Sequence, residues 1–176
     1  MPYWLRGSLP DLQDAATYFG VFRRCNFPYE SEGKILLREE CGRYSSFLDI
    51  PSLWWQIGTL TIGVGCCLAV LIAITAVLAI CIQDIVSPKI AKVAGVLQLC
   101  AALLIGGGVA IYPNGWNSQE VQQACGSTSG PYILGECSLY WAFYVTGSCA
   151  GTILIMSFLA CHAARRKNGR NNPTDV

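Results

Sequence analysis

Ionisable side chains are missing from three long stretches of this 176-residue chain, and those gaps decide its solvent. Residues 50–83, 93–119 and 137–161 contain no Asp, Glu, Lys, Arg or His. The hydrocarbon core of a bilayer is about 30 Å thick and takes about 20 apolar helical residues to cross. Each gap is long enough, and none shows the amphipathic alternation of a water-soluble core, so a soluble globular domain is excluded. With no ionisable group inside a span, pumps, proton relays and coupled transporters are disfavoured, because they need polar partners for charge in lipid. Catalytic patterns are also lacking: there is one histidine, and no HExxH, GxSxG or phosphate-binding glycine loop. No catalytic residue and no cofactor is assigned. No metal site is assigned either, since CxxC is absent and His162 lies beyond a helix from the cysteines of the polar segments. A formal net charge of +1 offers no argument for nucleic acid. The opening Met1-Pro2-Tyr3-Trp4-Leu5-Arg6 lacks an apolar stretch, so no cleavable signal peptide is visible. Asn26, Asn114 and Asn117 all fail the N-glycosylation pattern.

What is present fits a polytopic membrane protein. Residues 1–50 read as a polar head, 53–82 as a first span, 83–92 as a short link, 93–112 as a second span, 113–136 as a polar loop, 139–161 as a third span and 162–176 as a basic tail. Lys89 and Lys92 lie in the link, and Arg165, Arg166, Lys167 and Arg170 in the tail, while the 113–136 loop has no Lys or Arg. The positive-inside rule then places link and tail in the cytoplasm, and head and loop outside. The ten cysteines split accordingly. Cys66, Cys67, Cys81, Cys100, Cys149 and Cys161 belong to the apolar runs. Cys25, Cys41, Cys125 and Cys137 lie in the outer segments, where an oxidising space favours two disulfides in one of three connectivities. Trp54, Trp55, Tyr112, Trp116, Tyr140, Trp141 and Tyr144 gather at the outer helix ends, either in the headgroup layer or packed against the outer segments. An outside head needs something to start its translocation. A further helix before Met1 would supply it and make a four-span protein.

Thr17 to Cys25 predicts one strand and Lys34 to Glu40 a second, with Ser31-Glu32-Gly33 as a turn. Pro113-Asn114-Gly115 predicts a tight turn ending the second span. The residues from Lys167 onward predict a disordered tail. Gly147 and Gly151 form a GxxxG on the third span, suited to packing within the bundle or to docking of a partner's helix. Cys81 and Cys161, at the cytoplasmic helix ends, are candidates for S-palmitoylation or plain packing. Thr174-Asp175-Val176 has the form of a ligand for a PDZ scaffold.

The head carries a family resemblance. Trp4, Gly20-Val21-Phe22, Cys25 and Cys41 resemble the signature of the claudin and peripheral-myelin superfamily, with Phe22 where that signature has Trp. Tyr18-Phe19-Gly20-Val21-Phe22-Arg23-Arg24-Cys25-Asn26, Glu40-Cys41-Gly42-Arg43-Tyr44, Tyr112-Pro113-Asn114-Gly115-Trp116, and Cys125-Gly126 with Leu134-Gly135-Glu136-Cys137 are similar to the lipoma HMGIC fusion partner-like tetraspan family, nearest its founding branch. The resemblance implies an α-helical membrane bundle, three of its four spans visible here, with a small extracellular antiparallel β-sheet of claudin type. It implies pairing of Cys25 with Cys41 and fits pairing of Cys125 with Cys137. It implies that the present sequence starts where the family's first helix ends. It also implies a non-enzymatic plasma-membrane accessory protein whose partners are lipid and a channel, receptor or adhesion molecule. Claudin-like adhesion is the alternative.

Overall fold

The computed structural model describes residues 3–9, 15–31, 33–81 and 87–170. The elements, in chain order, are β1 (Leu5–Leu9), β2 (Ala15–Phe19), β3 (Arg23–Ser31), β4 (Lys34–Arg43), α1 (Leu53–Cys81), α2 (Pro88–Ile111), α3 (Gln119–Cys125), β5 (Ser138–Leu139) and α4 (Trp141–Arg170). Short 3₁₀ turns at Phe47–Asp49 and Tyr112–Asn117 precede α1 and α3 respectively. Long helices are what the apolar runs permit, because lipid offers backbone N–H and C=O groups no partner outside the helix. Leu53–Ala79, Lys89–Asn117 and Trp141–Ala163 are each long and apolar enough to cross a bilayer.

The chain divides into two units, one of Met1–Leu60 with Gly107–Thr146, the other of Thr61–Gly106 with Gly147–Val176. The first unit holds an antiparallel sheet in the order β4-β3-β2-β1-β5. Strand alternation sets its faces: Leu5 and Gly7 are buried while Arg6 and Ser8 are exposed. β1 pairs with β2 from Leu5↔Phe19 to Leu9↔Ala15, and β5 joins the other edge of β1 through Leu5↔Leu139 and Arg6↔Ser138. The Tyr140 N–H donates to the Trp4 carbonyl at 2.8 Å, extending that edge to the start of α4. The short helix α3 turns Val121, Ala124 and Cys125 inward and leaves Gln119 exposed.

Three local expectations change. Thr17 to Cys25 is not one strand. The chain turns at residues 20–22, and β2 pairs back on β3 through Tyr18↔Cys25 and Phe19↔Arg24. The Gly20 N–H donating to the Arg23 carbonyl at 2.7 Å closes the turn. An aromatic and β-branched run hides such a reversal because its composition suits both arms equally. α2 does end at Ile111, just before Pro113, but a 3₁₀ segment follows in place of a tight turn. Pro113 occupies the first turn of that 3₁₀ segment, where its missing N–H costs nothing. Beyond the third span, α4 continues through Arg170, past Lys167 where disorder was expected.

In the second unit the helices pack through small residues. A Cβ on Gly65 of α1 would stand 2.7 Å from Ile105 Cγ1 and 3.1 Å from the Ala101 carbonyl of α2. One on Gly95 of α2 would stand 2.8 Å from Cys161 Sγ of α4. Close helix approach in lipid depends on such positions.

Candidate functional site

The first unit is built round an aromatic cluster that the signature residues assemble. Trp55, in the first turn of α1, is fully buried, and its Nε1–H donates to the Tyr112 carbonyl at 3.0 Å. Its ring stacks on Tyr112, with centroids 5.0 Å apart and planes 4° apart. Trp4 meets the same Tyr112 edge-on at 4.8 Å and Phe143 at 5.5 Å. Trp116 closes the far side, edge-on to Tyr112 at 6.4 Å. Edge and stacked geometries of this kind add about 0.5–1.5 kcal/mol per pair beyond the area buried. Gly115 is required where it stands, because any Cβ there would fall onto the Trp55 indole. Pro113 and Trp116 are buried beside it.

Two disulfides hold the polar part. Cys25 and Cys41 sit directly opposite across β3 and β4 and are joined. Cys125, at the end of α3, is joined to Cys137, with 4.9 Å between Cα atoms. Gly7 of β1 makes room for the second staple: a Cβ there would lie 2.8 Å from Cys137 Sγ and 2.9 Å from both the Ala124 carbonyl and Thr17 Oγ1.

A charged cluster ties α3 to the sheet. The Arg24 guanidinium of β3 pairs with the Glu120 carboxylate of α3. The same guanidinium lies 3.6 Å from the Phe27 ring centroid and 4.7 Å from that of Tyr44. The Tyr44 hydroxyl donates to Glu120 Oε2 at 3.5 Å. Burial, and then the neighbouring Glu120 carboxylate, hold the Tyr44 phenol far above its ordinary range, so it stays protonated as a donor. This Arg–Glu–Tyr–Phe group was invisible in the sequence, since Arg24 and Glu120 are 96 positions apart.

The other candidate residues scatter. Gly20 is buried in the β2–β3 turn, whereas Phe22 is 51% exposed. Among the interfacial aromatics, Trp55, Tyr112 and Trp116 are core, while Trp54, Trp141 and Tyr144 are exposed. Gly147 is half-buried, and a Cβ on Gly151 would meet nothing within 4 Å. Cys161 is half-buried against Gly95. The side chain of Cys81 and the residues Thr174 and Val176 lie outside what the structure describes. The buried aromatics and cysteines make a rigid platform, and nothing among them is arranged as a nucleophile with a base.

The model of the lipoma HMGIC fusion partner-like protein family matches residues 1–166. LHFPL tetraspan subfamily member 2a protein of Danio rerio is 38% identical over 137 residues, which cover 77% of this chain and 58% of that protein. LHFPL tetraspan subfamily member 2 protein of Homo sapiens is 37% identical over 115 residues, or 65% of this chain and 50% of the relative. Human LHFPL tetraspan subfamily member 3 protein is 30% identical over 169 residues, 95% of this chain and 67% of the relative. The chain thus spans about half the length of the first two. With the signature residues at the centre of its aromatic cluster and the family match running over nearly its whole length, this multi-pass membrane chain belongs to the lipoma HMGIC fusion partner-like tetraspan family.

Proposed function

We propose that this chain is a non-enzymatic accessory protein of the plasma membrane that docks laterally on a channel, receptor or adhesion complex. Gln98 of α2 carries the reading. Its Oε1 is buried within a membrane span and has no hydrogen-bond partner among the described residues. The side chain lines a cavity of about 210 Å³ together with Ala69, Ala73 and Ala76 of α1 and Thr152 and Met156 of α4. An unsatisfied carbonyl oxygen is costly in hydrocarbon. The Gln98 side chain is only half-buried, so turning its terminal amide would present the oxygen to a donor on a partner's transmembrane helix, and the alanines allow that helix to come close. Gly151 adds a second open position on α4, one turn beyond the half-buried Gly147. The stapled sheet then meets the partner's ectodomain outside the cell, with link and tail in the cytoplasm. Lys89, Lys92 and Arg165 at one end of the spans and the oxidised cysteines at the other support that orientation. A PDZ scaffold on Thr174 and Val176, and palmitoylation at Cys81, belong to the same reading on the cytoplasmic side.

The test is a photo-crosslinker at Ala73, with pull-down from native membranes by wild type and by Gln98→Leu. Wild type should recover a membrane protein crosslinked through its spanning segment, and Gln98→Leu should recover much less. Recovery of no stable membrane partner ends the proposal.

Claudin-like adhesion is the second reading, favoured by one observation. Tyr29 and Leu36 face each other across the β3–β4 hairpin and are each 40% exposed, an apolar pair open to contact in trans. Cell-aggregation assays separate the two, because lateral docking needs no opposing cell.

A further inference from the structure

Arg23 and Arg43 stand directly opposite each other across β3 and β4. Both are exposed, and among the described residues neither has an acidic partner. Like charges in directly opposed positions destabilise a sheet unless something neutralises them. The neighbouring arginines are already neutralised, Arg24 by Glu120 and Arg38 by Glu40. Asp49 is engaged at its own turn, where its Oδ2 accepts from the Ser46 N–H at 2.8 Å.

A cavity of about 410 Å³ opens beside Arg43, walled by Phe22, Tyr44, Phe47, Ile50 and Thr59. Phe22 is 51% exposed, Phe47 48%, and the adjoining Leu48 80%. Thr59 fixes the depth of this cavity. It lies six residues into α1 from Leu53, about 9 Å along the axis at 1.5 Å per residue. The 29 residues of α1 make a rod about 43 Å long, against about 30 Å of hydrocarbon, so its terminal turns stand in the headgroup layer. The cavity therefore has one cation, Arg43, in its wall, with Arg23 paired opposite Arg43 in the sheet, and the exposed Phe22 and Phe47 rings in the same wall, at the level where phosphate gives way to acyl chain.

We infer that this cavity holds a phospholipid, its phosphate gripped by Arg23 and Arg43 and the start of its acyl chain laid against Phe22 and Phe47. The guanidinium fork matches phosphate geometry, and a phosphate between the two arginines removes their repulsion. A lipid without phosphate leaves the pair unneutralised.

The experiment is native mass spectrometry of the full chain in detergent with dioleoyl phosphatidic acid or with dioleoylglycerol, which has the same chains and no phosphate. Phosphatidic acid should be retained and dioleoylglycerol lost. Arg23→Gln with Arg43→Gln should lower retention about tenfold, the size expected for one charge-assisted hydrogen bond. A non-reducing peptide map checks that the variant keeps both disulfides. The comparison between the two lipids needs no variant, so misfolding of the arginine variant does not remove the test. Equal retention of dioleoylglycerol, or undiminished retention in a folded double variant, overturns the inference. So does a benzophenone at position 47 that labels protein rather than lipid in native membranes.

Discussion

Trp55 donates from Nε1 to the Tyr112 carbonyl while its ring lies parallel to the Tyr112 ring, so one contact fixes both depth and rotation of the start of α1 against the end of α2. Sequence separation makes the bond informative: 57 positions divide the two residues, and only the fold brings them together.

Gly115→Ala should disturb that contact first. The new Cβ falls onto the indole, and overpacking of a closed core costs typically about 1–3 kcal/mol. Thermal unfolding in micelles, followed by tryptophan fluorescence, should show the loss. Trp55→Phe in the same background should recover part of it, because the smaller ring leaves space. An unchanged melting temperature in Gly115→Ala would mean the ring can move aside.

Removing Cys125–Cys137 by Cys125→Ser should destabilise the polar part of the protein by about 2–4 kcal/mol, chiefly by freeing the unfolded chain. The check is limited proteolysis under non-reducing conditions, where the variant should be cut faster than wild type, with the two rates converging when reductant is added to both. Equal rates for oxidised wild type and variant would refute it.

The Arg24–Glu120 pair is about one-quarter exposed on each side, which limits its strength. A double-mutant cycle with Arg24→Gln and Glu120→Gln should give a coupling of about 1 kcal/mol. It should weaken as salt rises. Zero coupling would show that the aromatic contacts of Arg24 hold α3 in place instead.

Tyr44 gives the protein a sensitivity to alkali. Its folded-state phenol is raised above the ordinary value of 10.0, so the folded chain keeps a proton that the unfolded chain releases. The associated stability is fully present below about pH 10 and is lost as pH climbs above it. Unfolding scans from pH 8 to 11 should show stability falling at the top of that window in wild type, with a shallower fall in Tyr44→Phe. Parallel curves would contradict the assignment.

The two glycines Gly95 and Gly151 should respond oppositely to enlargement. Gly95→Leu drives a side chain into Cys161 and should break helix packing, read as loss of a monodisperse protein in detergent. Gly151→Leu meets open space, so the fold should survive. On the docking proposal it should nevertheless reduce partner recovery from native membranes.

The family resemblance, with two strand candidates, implied a small stapled sheet; the residues by themselves determined that the chain spans membranes and that three helices do so. Lipid enforces those features through composition: uncharged runs of spanning length have one stable backbone form there, and no knowledge of contacts is needed to see it. The signature residues were legible as a pattern, though not in their roles. Trp4, Pro113, Gly115 and Trp116 read as a motif, and only the packed core shows that they surround Tyr112, with Gly115 bare because an indole covers it. The β2–β3 reversal, Gly7 beneath the second disulfide and the Arg24–Glu120–Tyr44 group had no local signal. Each depends on which distant residue arrives opposite, and strand register and ring packing decide that through contacts between segments far apart in the chain.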